Sequence, residues 1–243
     1  MAHGRYVYCI VENNAKDNLG SVGLYDSQVY QIPFKDISAL VSTIPFKEIH
    51  PNVNEINSHQ RVVEISREKW TTLPVRFGTI FKSDDGVTQF LTRSYKDLRS
   101  KITKFQEKEE YGLKVIIDKE NLQKLDLKIT DNQEIKKIKK EIAGAKEGAA
   151  YFLKMKLDEA MRTEMLKKIE EIGGDIHKRL SDASVTSCLL RSDLSQIVLN
   201  ASYLIDRREK GNFDSQVKKI KEKYGSIGIT LHVSGPWAPY SFC

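Results

Sequence analysis

The chain has 243 residues, is 40% hydrophobic and 30% charged, and so has the composition of a well-hydrated globular protein with room for one large or two ordinary domains. No run approaches the roughly 18 apolar residues of a membrane-spanning helix. The opening Met1-Ala2-His3-Gly4-Arg5 lacks an apolar signal core, so a cytoplasmic protein without a membrane partner is expected. The net charge of +6 sits in lysine-rich runs, Lys136 to Lys140 and Lys218 to Lys223, each with an isoleucine between lysines. That spacing reads as the solvated face of an amphipathic helix rather than a nucleic-acid or acidic-surface site.

In chain order, Arg5 to Val11 is β-branched and aromatic and predicts a first strand. Ser21 to Tyr25 and Val29 to Ile32 are expected to pair as a hairpin across Asp26-Ser27, and Ile37 to Thr43 is a further strand closed by Pro45. From Asn54 the period becomes helical through Ile56, His59, Val63 and Trp70, with Pro74 as its end. Val75 to Phe81 returns to strand character. Asp84-Asp85 are expected to cap a helix through Val87, Leu91, Tyr95 and Leu98, and Tyr111 to Ile117 predicts another strand.

Residues 118 to 131 are polar, with an alternating island of Leu122, Leu125, Leu127 and Ile129. A long helical tract follows. Ile135, Ile138 and Ile142 form one stripe, and Leu153, Leu157, Met161, Met165, Ile169 and Ile172 form another that Gly173-Gly174 is expected to stop. The methionine stripe reads as core packing. Val185 to Leu190 and Gln196 to Ile205 are strands flanking a turn. Phe213, Val217 and Ile220 mark a helix ending at Gly225, and Ile227 to Val233 is the last strand.

From Tyr111 the order is strand, helix, strand, strand, helix, strand, the split βαβ pattern of ferredoxin-like domains. The fold class expected is α+β. It comprises an N-terminal α+β domain over 1–107, a ferredoxin-like (βαββαβ) domain over 108–233, and a proline- and aromatic-rich tail over 234–243. That tail, Gly235-Pro-Trp-Ala-Pro-Tyr-Ser-Phe-Cys243, carries Trp237, Tyr240 and Phe242. Each ring buries on the order of 150 to 250 Å² when packed, so the tail is expected to dock on this chain or a partner. If it docks internally, Trp237→Ala is expected to cost roughly 3 kcal/mol or more.

Catalytic signatures are sparse. There is no G-x-G-x-x-G, no phosphate loop, no H-E-x-x-H and no G-x-S-x-G. His232-Val233-Ser234 matches one H-x-[ST] unit of two-histidine phosphoesterases, but that chemistry needs a second unit to pair base with acid, and the sequence contains none. His59 on an apolar helix face reads as a hydrogen-bonded core residue, and His50 has no partner at metal spacing. The carboxylate run Glu107, Glu109, Glu110 reads as solvated. Cys9, Cys188 and Cys243 lie far apart, which argues against a disulfide framework or zinc site, and Cys9 and Cys188 read as small buried hydrophobes. No catalytic residue, cofactor or metal is expected.

Two blocks carry a family resemblance: Leu73-Pro-Val-Arg-Phe-Gly-Thr-Ile-Phe81 and the closing tail. The His59 helix with Val62-Val63-Glu64, the Tyr6-Val7-Tyr8 strand and Gly148-Ala-Ala-Tyr-Phe152 accompany them in order along the chain. Together they resemble the gas vesicle protein F/L family, with F and L equally open. The resemblance implies a non-enzymatic accessory protein in the assembly of gas vesicles, the gas-filled organelles that give microbes buoyancy. It implies contact with the small hydrophobic shell subunit and other accessory proteins, and vesicle association. Arg76, Phe77 and Gly78, with His59 and the tail aromatics, are the implied contact or motif residues. Arg76 and Phe77 read either as an interface anchor or as an internal packing unit with Arg76 donating inward. The alternative function is a ferredoxin-like phosphoesterase or RNA-binding protein, motivated by His232 and the basic pI.

Overall fold

A computed structural model describes residues 2–12, 18–117, 132–192 and 196–243. The alternating island at 122–129 and the turn residues 193–195 lie outside them. The chain divides into two compact units, Met1–Glu110 with Gly235–Cys243, and Tyr111–Ser234. Both are α+β, with two antiparallel sheets and five α-helices among the described residues.

The first unit is built on strand β1 (His3–Glu12), in which every residue from Tyr6 to Val11 is fully buried. Such an unbroken apolar run suits a strand covered on both faces. β2 (Val29–Phe34) and β3 (Ile37–Pro45) form a hairpin in register Phe34↔Ile37, and β3 pairs antiparallel with β1. On the other side of β1 lie β4 (Thr72–Pro74) and β5 (Ile80–Phe81). Helix α1 (Val53–Lys69) starts where the Asn52 side chain accepts from the Asn54 and Glu55 amides, and it buries His59, Val62, Val63 and Ser66. Helix α2 (Asp84–Phe105) buries Val87, Leu91, Leu98, Ile102 and Phe105.

Several expectations change here. Ser21 to Tyr25 is no hairpin arm: Leu24–Asp26 is a 3₁₀ turn. The Leu24 amide donates to the Tyr8 hydroxyl at 2.8 Å, and the Gly23 amide donates to the Ser27 carbonyl at 3.0 Å, so the backbone is tied down before it can extend. The first helix ends at Lys69, leaving Thr72–Pro74 free to pair with β1. Ser83 rather than Asp84 or Asp85 caps α2, accepting from the Gly86 amide. Asp84 instead pairs with Arg5 at 2.6 Å. Val75 to Phe81 is not one strand, because the chain turns out of the sheet at residues 76–78 between β4 and β5.

The second sheet consists of β6 (Lys108–Ile117), β7 (Thr186–Leu189), β8 (Ile197–Asp206) and β9 (Ile229–Trp237) in the order β7-β8-β6-β9. α3 (Gln133–Ala143) packs on α4 (Glu147–Asp182), and α5 (Lys210–Tyr224) completes the layer. The core joins Leu113, Val115, Ile176, Leu180, Tyr203 and Phe213, with Met161 and Met165 partly buried against it as expected of a packing stripe. β9 runs on through Gly235-Pro236-Trp237, so the tail begins as strand.

Gly173-Gly174 do not stop α4, which continues to Asp182. A Cβ on Gly173 would lie 2.9 Å from the Val198 carbonyl oxygen, so this glycine permits close approach of helix to β8. Gly174 faces open space. Accordingly Gly174→Ala is expected to stabilise by about 0.5–1 kcal/mol through helix propensity. Gly173→Ala is expected to destabilise by about 1–3 kcal/mol through overpacking. Urea unfolding of both variants decides; equal effects would remove the close-approach reading.

Candidate interaction site

The motif block Leu73 to Phe81 runs beside β1 as an interrupted strand. Leu73 pairs with Ile10 and Ile80 with Tyr6, and the Val75 amide donates to the Tyr8 carbonyl at 2.9 Å. Pro74 lacks a donor and sits in a strand that pairs only with β1, where such a residue is tolerated. Between the two pairings the chain arches outward. Thr79 closes the arch, its amide and hydroxyl both donating to the Arg76 carbonyl, at 3.2 and 2.7 Å. Gly78 adopts φ +87°, a left-handed conformation that a side chain would strain.

The arch is anchored from beneath by Tyr6. The Gly78 amide donates to the Tyr6 hydroxyl at 3.2 Å, and that hydroxyl lies 2.8 Å from His59 Nδ1. The Tyr6 hydroxyl thus bridges the Gly78 amide and the His59 ring. His59 is 4% exposed, and its Nε2 has no hydrogen-bond partner among the described residues. Burial lowers its pKa to about 4, with the nearby Val75 backbone pulling the other way, so the ring is neutral at pH 7. Burial likewise raises the Tyr6 phenol above its usual range. Phe77 packs edge-on to both rings, 6.1 Å from Tyr6 and 5.7 Å from His59.

Arg76 sits at the exposed crest of this arch. Its guanidinium has no hydrogen-bond or ion-pair partner among the described residues, so the inward-donating alternative does not hold. Beside it opens a concavity of about 570 Å³ lined by Phe46, Lys47, Ile49, Arg76, Phe77 and Thr79.

The tail contributes to the same apolar cluster, but not through the residues singled out from sequence. Ala238 is fully buried with Tyr6, Tyr8, Val62 and Val63, whereas Trp237 and Phe242 are half-buried and Tyr240 is exposed. Ser241 fastens the end: its amide and hydroxyl donate to the two oxygens of Glu110, at 2.8 and 2.6 Å. Glu110 is buried, contrary to the solvated run expected. Sequence reasoning missed Tyr6, Glu110 and Ala238 as site residues. The alternation Tyr6-x-Tyr8, which puts two phenols on one face of β1, was the available signal for the first. The cysteines are free. Burial pushes the Cys9 thiol up to about 12, an inert thiol, while Cys188 is half-buried and Cys243 exposed. His232 is exposed on β9. Among the described residues no cluster of His, Cys, Asp or Glu is placed to hold a metal, and no helix is long and apolar enough to cross a membrane.

These features define an α+β protein of two antiparallel sheets that presents a cationic arch backed by aromatic rings. Residues 4–243 match the family model described as gas vesicle synthesis protein GvpL/GvpF, and the chain belongs to that family. Among named relatives, gas vesicle protein F of Haloferax mediterranei is 24% identical over 100% of this chain and 94% of its own length. Gas vesicle protein F of Streptomyces sp. CB03234 is 25% identical over 98% of each. Gas vesicle protein L2 of Halobacterium salinarum is 22% identical over 100% of this chain and 92% of its own. The fold matches the crystal structure of GvpF from Anabaena sp. PCC7120, with a TM-score of 0.84, 22% identity and coverage of 98% and 97%. It also matches that of GvpF from Microcystis aeruginosa, with a TM-score of 0.76, 21% identity and coverage of 98% of each chain.

Two outcomes follow. His59 has a folded pKa below its unfolded value of 6.5, so its contribution is intact above pH 6.5 and is lost as pH falls toward 4. The loss from this group is about 2 kcal/mol between pH 7 and pH 5. Denaturant unfolding of His59→Gln should show a shallower fall over that interval than the parent; parallel curves would contradict the buried neutral imidazole. Because Trp237 is only half-buried, Trp237→Ala is expected to cost about 1–2 kcal/mol rather than the larger value expected from sequence, measured the same way.

Proposed function

We propose that this chain is a non-catalytic accessory protein of gas vesicle assembly that binds the small hydrophobic shell subunit and other accessory proteins through the arch at Arg76-Phe77-Gly78. Family membership supports the setting, and the arch supports the mode. An exposed arginine without an internal partner, standing over a half-buried phenylalanine and beside a concavity, has the composition of an interface hot spot. A shell subunit with one apolar face aggregates unless something covers that face, and an arch held rigid from below pays little ordering entropy on doing so.

The same reading places the protein in the cytoplasm and on vesicles, with no cofactor and no nucleic acid. It treats 1–107 and 108–233 as separate folding domains, the second ferredoxin-like, and 234–243 as a docked tail. The strand order β7-β8-β6-β9 and the Ser241–Glu110 bonds support these assignments. The test is binding of the purified shell subunit by the parent and by Arg76→Ala and Phe77→Ala. Removal of a central anchor is expected to weaken binding by about 30-fold, on the order of 2 kcal/mol, with the Arg76→Ala melting temperature unchanged. Absence of binding by the parent, or equal affinity in Arg76→Ala, would overturn the reading.

A further inference from the structure

The far end of the α3–α4 helix pair carries a surface that neither the fold nor the arch explains. Between residues 136 and 156 the chain holds seven lysines against two glutamates, with Glu134, Asp158 and Glu159 bordering the segment. All seven lysines are exposed, and Lys137, Lys139, Lys140, Lys146, Lys154 and Lys156 have no ion-pair partner among the described residues. At the start of α4, Tyr151, Phe152 and Met155 are 65%, 73% and 56% exposed. They are not spillover from the core, since α4 already sends Leu157, Met161, Met165 and Ile169 inward to pack on it. Tyr151 and Phe152 stand edge to face, with ring centroids 5.9 Å apart, so two large rings are held together in solvent.

We propose that this end of the helix pair is a docking surface for an acidic protein helix with one apolar face. Charge complementarity sets the sign of the partner: unpaired lysines in such excess attract carboxylates. The apolar residues at i, i+1 and i+4 lie along one helix and offer the ridge that packs into the side-chain groove of a second helix. Aromatic residues and methionine at the centre with charge around them match the anatomy of protein interfaces. Lysine attracts phosphate as well as carboxylate, so the choice of a protein helix rests on the exposed Tyr151, Phe152 and Met155 beside the lysines. Three apolar side chains interleaved with Lys154 and Lys156 fall short of the broad apolar face of a membrane-surface helix. The lysine run read from sequence as a solvated face thereby gains a role. The inference goes beyond the shell-subunit reading and does not rest on it.

The experiment measures binding of four probes by fluorescence anisotropy or flotation: a synthetic amphipathic helix with leucine on one face and glutamate on the other, the same helix with lysine in place of glutamate, phosphatidylglycerol vesicles, and single-stranded RNA. The glutamate helix is expected to bind, and to bind more weakly as salt rises. Phe152→Ser with Met155→Ser, and separately Lys154→Glu with Lys156→Glu, are expected to weaken it by about tenfold each. These side chains are exposed, so the melting temperature should hold in both variants. Failure of the glutamate helix to bind, equal binding of the lysine helix, tighter binding of vesicles or RNA, or no loss in either variant would overturn the proposal.

Discussion

The first unit turns on one hydroxyl. Tyr6 lies at the centre of β1, fully buried, and its oxygen serves the Gly78 amide on one side and His59 Nδ1 on the other. A buried phenol without partners costs on the order of 1–3 kcal/mol, so the sheet, α1 and the arch must keep this geometry together. The consequence reaches the surface. A left-handed glycine anchored to a buried tyrosine leaves the residues before it little freedom, and Arg76 and Phe77 are those residues. The His59 imidazole, neutral because it is buried, completes the aromatic floor on which Phe77 rests.

The tail is tied to the same floor. Ala238 is fully buried in that cluster, and Ser241 reaches a buried carboxylate more than a hundred positions earlier in the chain. The aromatic residues beside it are left half-buried or exposed. Their role is then split between covering the apolar cluster and facing outward. A segment so anchored keeps both ends of the chain in one unit: β1 at its centre and the last nine residues against the cluster around it.

Much of this was legible in the sequence, for physical reasons that differ by element. α1, α2 and α5 declare themselves through helical periodicity, and β1 and β3 through unbroken apolar runs. Their apolar spacing decides their state whatever surrounds them. The departures arose where a distant partner outweighed local pattern. Val75 to Phe81 has strand composition, but the Tyr6 hydroxyl takes the Gly78 amide and Thr79 folds back onto Arg76, so the middle leaves the sheet. Ser21 to Tyr25 bends because Tyr8 claims the Leu24 amide. The Gly173-Gly174 pair looks like a helix stop, yet one of the two glycines is there to admit β8. For the site, Arg76, Phe77 and His59 were found through the motif block, whereas Glu110 was hidden in a run of like charges. Only a fold that brings Ser241 beside it distinguishes it from its neighbours.

In the proposed mode of action, the buried Tyr6 hydroxyl holds the Arg76–Phe77 arch ready for the shell subunit. Replacing Tyr6 with Phe keeps the ring and removes the oxygen that accepts from the Gly78 amide. The decisive measurement pairs hydrogen exchange at the Gly78 amide with affinity for the purified shell subunit in that variant. Faster exchange at Gly78 together with weaker binding is expected, in a protein whose helices and sheets persist. Faster exchange with unchanged affinity would mean that the arch is not the contact surface.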